Sequence, residues 1–146
     1  MDFKIEDATV FVKSVQESGE DINDGIEFFA AGSYYCKNGA KYIRYVHTDE
    51  DVKEETSTVL KIEGNERVTV IQNGPQQYRL VLQKGERQHA VYRTPFGELL
   101  LGVSGTKIKS DLDEKGGTLK LEYMLDINNA VASHNTLEIK VKGTVS

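Results

Sequence analysis

Leu119-Lys120-Leu121-Glu122-Tyr123-Met124-Leu125-Asp126-Ile127-Asn128 places an apolar residue at every second position and mostly polar residues between them. That period is the signature of a half-buried β-strand. Beyond Asn128-Asn129 the pattern resumes from Ser133 to Lys142, with Leu137, Ile139 and Val141 on one face and Glu138, Lys140 and Lys142 on the other. The two segments read as one hairpin. A second hairpin is read where Ile26 to Cys36 and Lys41 to His47 flank Lys37-Asn38-Gly39-Ala40, because Asn-Gly tolerates the positive φ values of a tight hairpin turn.

Turn signals recur at short spacing between these hairpins, at Gly64-Asn65-Glu66, Asn73-Gly74-Pro75, Lys84-Gly85-Glu86 and Thr94-Pro95-Phe96-Gly97. They place strands near Ser57 to Glu63, Arg67 to Gln72, Gln77 to Gln83, Arg87 to Thr94 and Glu98 to Lys109. A first strand runs near Thr9 to Glu17, and Ser18 to Gly25 and Thr48 to Glu55 read as polar loops. No segment carries a helical stripe. Successive hairpins of this kind must hide their edges, and closing the sheet does so completely. The expectation is an all-β chain forming a closed or nearly closed antiparallel up-and-down barrel of about 8–10 strands in a single domain over residues 1–146. A Greek-key sandwich is the alternative, but it needs a long return connection.

The formal charge of −5 and pI near 5.2 argue against a nucleic-acid platform, which needs a basic face. No apolar run is long enough to cross a bilayer, and Met1-Asp2-Phe3-Lys4-Ile5-Glu6-Asp7 lacks the basic head and apolar middle of a signal peptide. A cytoplasmic protein without nucleic-acid or membrane partners is expected. The single Cys36 allows no intramolecular disulfide and no cysteine zinc site.

Several segments, in this order and spacing, resemble the YwiB-like family of small bacterial proteins of unknown function. They are Gly32-Ser33-Tyr34-Tyr35 with Lys37-Asn38-Gly39, Thr58-Val59-Leu60-Lys61-Ile62-Glu63-Gly64 and Tyr92-Arg93-Thr94-Pro95-Phe96-Gly97. Leu112-Asp113-Glu114 with Gly116-Gly117, Leu119-Lys120-Leu121-Glu122-Tyr123 and Leu125-Asp126-Ile127 continue the resemblance along nearly the whole chain. It implies a barrel of the calycin superfamily, lipocalin-like in shape, and it supplies no activity. The chain lacks the Gly-x-Trp signature of true lipocalins, since it contains no tryptophan.

Candidate chemistry is sparse. His89 and Arg93 share one face of a strand, and Arg79 comes from its neighbour; together they suit a carboxylate or phosphate. The competing reading turns the arginines to solvent, because Tyr78, Leu80 and Leu82 look like the inward set. Tyr34, Tyr35, Tyr42, Tyr45, Tyr92 and Tyr123 offer apolar bodies with polar tips for a cavity or an interface, though tyrosine also packs well in plain sheet. Alternation forbids Tyr34 and Tyr35 a common face. Asp111 to Gly117 with Glu122 imitates a calcium loop, but Lys115 occupies a ligand position. No metal site, cofactor or catalytic residue is expected: His47, His89 and His134 sit in no catalytic motif. The leading expectation is a barrel holding a small, partly apolar or anionic ligand, lined by Tyr42, Arg44, His89, Arg93 and Tyr123. A homodimer or other interaction module is the alternative, and an enzyme acting on a small anion near His89 is a third reading.

Overall fold

The turn at Asn38-Gly39 has φ values of 54° and 82°, and the one at Asn128-Asn129 has 53° and 68°. Two successive left-handed residues twist the backbone in the sense that two flanking strands need. Both hairpins follow from those residues. The computed structural model describes residues 2–18, 21–22, 25–48 and 53–143. Its strands are β1 (Phe3–Ser18), β2 (Asp21–Ile22), β3 (Ile26–Lys37), β4 (Ala40–Thr48), β5 (Glu55–Glu63) and β6 (Arg67–Asn73). They continue as β7 (Gln77–Gln83), β8 (Arg87–Thr94), β9 (Gly97–Asp113), β10 (Gly116–Ile127) and β11 (Ala130–Gly143).

From β3 to β11 each strand pairs antiparallel with the next in sequence, β1 pairs with β3, and β11 returns to pair with β1. Ten strands therefore form a closed ring, an all-β antiparallel barrel. The two-residue β2 is an addition, pairing with the end of β1 at Glu17↔Ile22 and Ser18↔Asp21. Its presence corrects the expectation of an uninterrupted loop from Ser18 to Gly25. Residues 19–20 and 23–24 of that stretch, and residues 49–52 of the next, lie outside the described residues.

Alternation decides which side chains enter the barrel. On β3 the even positions point inward, so Tyr34 is buried while Tyr35 stacks outside on Tyr42, with ring centroids 4.8 Å apart. Long strands break this parity at bulges. On β9 the inward set changes from Leu101 and Val103 to Ile108 and Leu112, across the register shift opposite Glu122 and Tyr123. One extra residue there returns the apolar side chains to the core.

The interior is packed solid toward the end where β3 turns into β4 and β9 into β10. Tyr34, Ile43, Leu60, Ile62, Leu82, Leu119, Leu121 and Ile139 are fully buried. Two long side chains cross this end to meet the last carbonyls of β9: the Tyr34 hydroxyl donates to the Asp113 oxygen at 2.7 Å and Lys41 Nζ to the Leu112 oxygen at 2.6 Å. Burial, reinforced by the Asp113 and Cys36 charges, holds the Tyr34 phenol above its ordinary range, so it remains a donor. Tyr34→Phe keeps the ring and removes this tie. It is expected to cost about 1 kcal/mol, read as a lower urea midpoint at unchanged slope. A stability equal to wild type would show that the cross-barrel bond contributes nothing.

Candidate functional site

The opposite end of the barrel, at the β6–β7, β8–β9 and β10–β11 turns, is not filled. A cavity of about 410 Å³ opens there, within the range of about 300–1,000 Å³ common to small-molecule sites. Its aromatic wall is Tyr78, Tyr92 and Tyr123, and its aliphatic wall is Leu80, Leu99, Leu101 and Leu125. Gln16, Gln72, Gln76 and Asn135, with Ser14, supply amide and hydroxyl groups. No lining side chain carries a formal charge at neutral pH.

Each lining group is placed by sheet geometry. Tyr78 and Tyr92 are register partners across the β7–β8 pair, and their rings stack with centroids 5.7 Å apart. The Tyr78 hydroxyl donates to Gln72 Oε1 at 2.8 Å, and Gln72 Nε2 donates to the Gln76 carbonyl at 3.4 Å. Asn135 Nδ2 donates to Ser133 Oγ at 3.0 Å. Burial raises the Tyr123 phenol to about 12, with Tyr45 adding to the shift. Tyr78 is raised chiefly by burial, then by the phenols of Tyr123, Tyr45 and Tyr92. All of them are therefore neutral hydrogen-bonding groups near pH 7, and the cavity offers apolar contact with a few polar fixing points.

Of the five residues the sequence nominated as lumen lining, the structure brings only Tyr123 to the cavity. Tyr42 and Arg44 lie on the outer face of β4, out of phase with the buried Ile43 and Tyr45. His89 and Arg93 lie on the outer face of β8, out of phase with the buried Ala90 and the cavity-facing Tyr92. These four assignments are corrected by strand parity. The competing view of β7 holds, with Tyr78, Leu80 and Leu82 facing in. That alternation was the signal from which Tyr78 could have been placed in the site.

Outside the wall, His89 joins a different arrangement. Arg87 Nε and Nη2 donate to Asp126 Oδ2 and Oδ1 at 2.9 and 2.7 Å, while Arg87 Nη1 stands 3.3 Å from His89 Nε2. The Asn129 amide adds a bond to Asp126 Oδ1 at 3.2 Å, tying the β10–β11 turn to the pair. Gly102 lies directly beneath: a Cβ there would overlap both the carboxylate and the guanidinium. The Arg87 hydrogen bond, aided by Asn129 and opposed by partial burial, holds the Asp126 carboxyl below its usual 3.8. A depressed carboxyl contributes stability that is present above its unfolded value and lost as pH falls through its folded value. Asp126→Asn is therefore expected to be less stable than wild type at pH 7, with the gap closing below about pH 4. Urea midpoints measured across that window check the sign; a gap that persists unchanged into acid would show that ionisation of Asp126 is not its source.

The calcium-like stretch is occupied by its own turn: Asp113 Oδ1 accepts the Lys115 amide at 2.8 Å in the β9–β10 hairpin.

Comparison with known proteins agrees with this geometry and adds no chemistry. The chain is 30% identical over 135 residues to the uncharacterized beta-barrel protein YwiB of Bacillus subtilis (strain 168), covering 92% of each chain. It superposes on the crystal structure of the ywiB protein from Bacillus subtilis with a TM-score of 0.82 at 29% identity, over 97% of this chain and 94% of that one. The family model described as a domain of unknown function, DUF1934, matches residues 10–139. The chain, a ten-strand barrel packed at one end and open at the other, belongs to this family, whose function is unknown.

Proposed function

We propose that the barrel binds a small, partly apolar molecule in the cavity at its open end, and that it acts as a binding protein of the cytosol rather than as an enzyme. One observation carries the reading: the cavity of about 410 Å³ framed by Tyr78, Tyr92, Tyr123 and four leucines. A barrel of this kind can fill its interior with its own side chains; here the packed half does so, and the open half stops short. The uncharged lining selects an uncharged moiety inside the barrel, since an ion there would lose its hydration with no opposite charge to replace it. The calycin placement belongs to this proposal, on the shared form of an up-and-down barrel with a site at one mouth. The outer face favours work in water: ion pairs such as Lys13–Glu27, Lys107–Glu122 and Lys140–Glu138 stand where a membrane barrel presents apolar side chains.

Native mass spectrometry of gently purified protein, at low and high activation energy, tests the reading. A small mass released from the monomer on activation is expected. A bare monomer that also leaves a neutral fluorescent probe unbound would overturn it.

A second reading, assembly with another copy or another protein, draws on a different observation. Phe11 and Phe29 are register partners whose rings meet at 4.9 Å on the outer face, with Phe29 73% exposed. In the same spectra, a bare and stable dimer dispersed by Phe29→Lys would favour it.

A further inference from the structure

The register of the ladders sets polar side chains in rows around the cavity. Tyr45↔Thr58, Thr58↔Gln72, Gln72↔Tyr78 and Tyr78↔Tyr92 are successive rungs, so one row of inward residues crosses β4 to β8. Gln16↔Asn135 and Asn135↔Tyr123 make a second row across β1, β11 and β10, on the other side of the ring. In the first row the protein meets its own needs, since the Tyr78 hydroxyl donates to the amide oxygen of Gln72. The second row differs. Asn135 Nδ2 is committed to Ser133 Oγ, while the Tyr123 hydroxyl forms no hydrogen bond with any described residue. Tyr123 packs against the core from inside the barrel, and no fully buried side-chain oxygen or nitrogen among the described residues lacks a partner. An unpartnered phenol oxygen there is therefore one that the cavity reaches. Tyr92 stands at the mouth, two rungs from its hairpin turn, whereas Tyr123 lies four rungs from its own.

A donor aimed into a binding cavity acts through what it rejects. Water serves a phenol well, so a ligand that replaces that bond gains little, but one that displaces the water without offering an acceptor strands the hydroxyl. We propose that the ligand is a neutral molecule bearing a carbonyl group: its flat apolar body lies against the Tyr78–Tyr92 stack and the leucines, and its carbonyl oxygen accepts a hydrogen bond from Tyr123. A carbonyl suits the site because it accepts strongly and brings no donor of its own to be left unpaired, and the uncharged lining excludes a carboxylate in its place. Gln72 is the pattern for it, an amide carbonyl already met by a phenol at 2.8 Å in the facing row. Burial keeps the Tyr123 proton in place, so the group is a donor across the neutral range. This rests on the cavity reading above and adds the chemical class of the ligand and the residue that selects it.

Fluorenone and fluorene share one rigid body and differ at a single carbon, which carries a ketone oxygen in the first and two hydrogens in the second. Their affinities are read by displacement of N-phenyl-1-naphthylamine, a neutral fluorescent probe, from the full chain. Tyr123→Phe is expected to lower the ratio of fluorenone to fluorene affinity at least about fivefold, because it weakens the ketone and frees the hydrocarbon from stranding a hydroxyl. The cost of taking the ketone out of water is the same in both proteins and cancels. Tyr42→Phe, which removes a phenol from the outer face, leaves the ratio as in wild type. An unchanged ratio in Tyr123→Phe overturns the assignment and leaves the cavity reading intact. Where that variant binds neither compound, the infrared carbonyl stretch of fluorenone on the wild type decides: a band below its position in hexane is expected, and a band at the hexane position overturns the assignment. Failure of all three compounds to bind the wild type overturns the cavity reading and this inference together.

Discussion

Leu101→Trp is expected to abolish binding of N-phenyl-1-naphthylamine, lowering its affinity more than about thirtyfold while the barrel remains folded. Leu101 is 7% exposed and points from β9 into the cavity near Tyr92 and Tyr123. An indole at this position has nowhere to go but the free volume, since the neighbouring walls are packed strands. The penalty for overfilling a well-packed core, typically about 1–3 kcal/mol, is softened here because the cavity accepts the ring. Circular dichroism and a urea midpoint within that range establish the fold, and the titration then reads the site alone. A folded variant that binds the probe as wild type does would place the binding surface elsewhere on the protein.

The second large effect concerns the packed half. Leu121→Ala is expected to destabilise the barrel by about 3 kcal/mol, within the usual span of about 2–5 for such truncations. Leu121 is completely buried, and its register partners are Ile108 on β9 and Leu137 on β11. Closed ladders on both sides prevent the backbone from collapsing into the space the alanine leaves, so most of the cavity cost is retained. Set against a domain stability of about 5–15 kcal/mol, this is a large fraction, and the urea midpoint should fall accordingly at unchanged slope. Lys120→Ala, one residue away and facing solvent, is expected to stay within about 0.5 kcal/mol of wild type. If the two variants were equally stable, the inward assignment of β10 would be wrong.

Much of this architecture could be read from the chain. Gln77–Gln83 and Arg87–Thr94 are bounded where Gly74-Pro75, Gly85 and Thr94-Pro95 predict, because turn residues act locally and need no tertiary information. Closure followed from the want of any long return connection. Inward orientation was legible where alternation is clean, as in Leu119, Leu121 and Tyr123, and it failed where apolar residues are contiguous. Ala90-Val91-Tyr92 gives β8 no phase of its own; its phase is set by Tyr78 across the ladder. For β4 the signal was present and outweighed by chemistry: Ile43 and Tyr45 already occupied the inward positions, which left Tyr42 and Arg44 outside. The bulge in β9 could be inferred only in retrospect, from the apolar phase moving between Val103 and Ile108. The cavity itself was beyond reach, since the difference between a filled and an unfilled barrel end is a matter of packing volume and not of pattern.

The pairing of β11 with β1 is expected to form last in folding. Every other ladder joins strands close in sequence and can form as a local hairpin, on the order of microseconds for each. This one brings Thr9 to Lys142 and Gln16 to Asn135, nearly the length of the chain apart, so its loop-closure entropy becomes small only after the intervening hairpins have ordered the chain between them. Ser14 and Gln16 of β1 and Asn135 of β11 all line the cavity. The cavity is therefore complete only when the ring closes, and a molecule bound there would act as a thermodynamic clasp on the longest-range ladder of the described fold, one that an unclosed ribbon of hairpins cannot recognise.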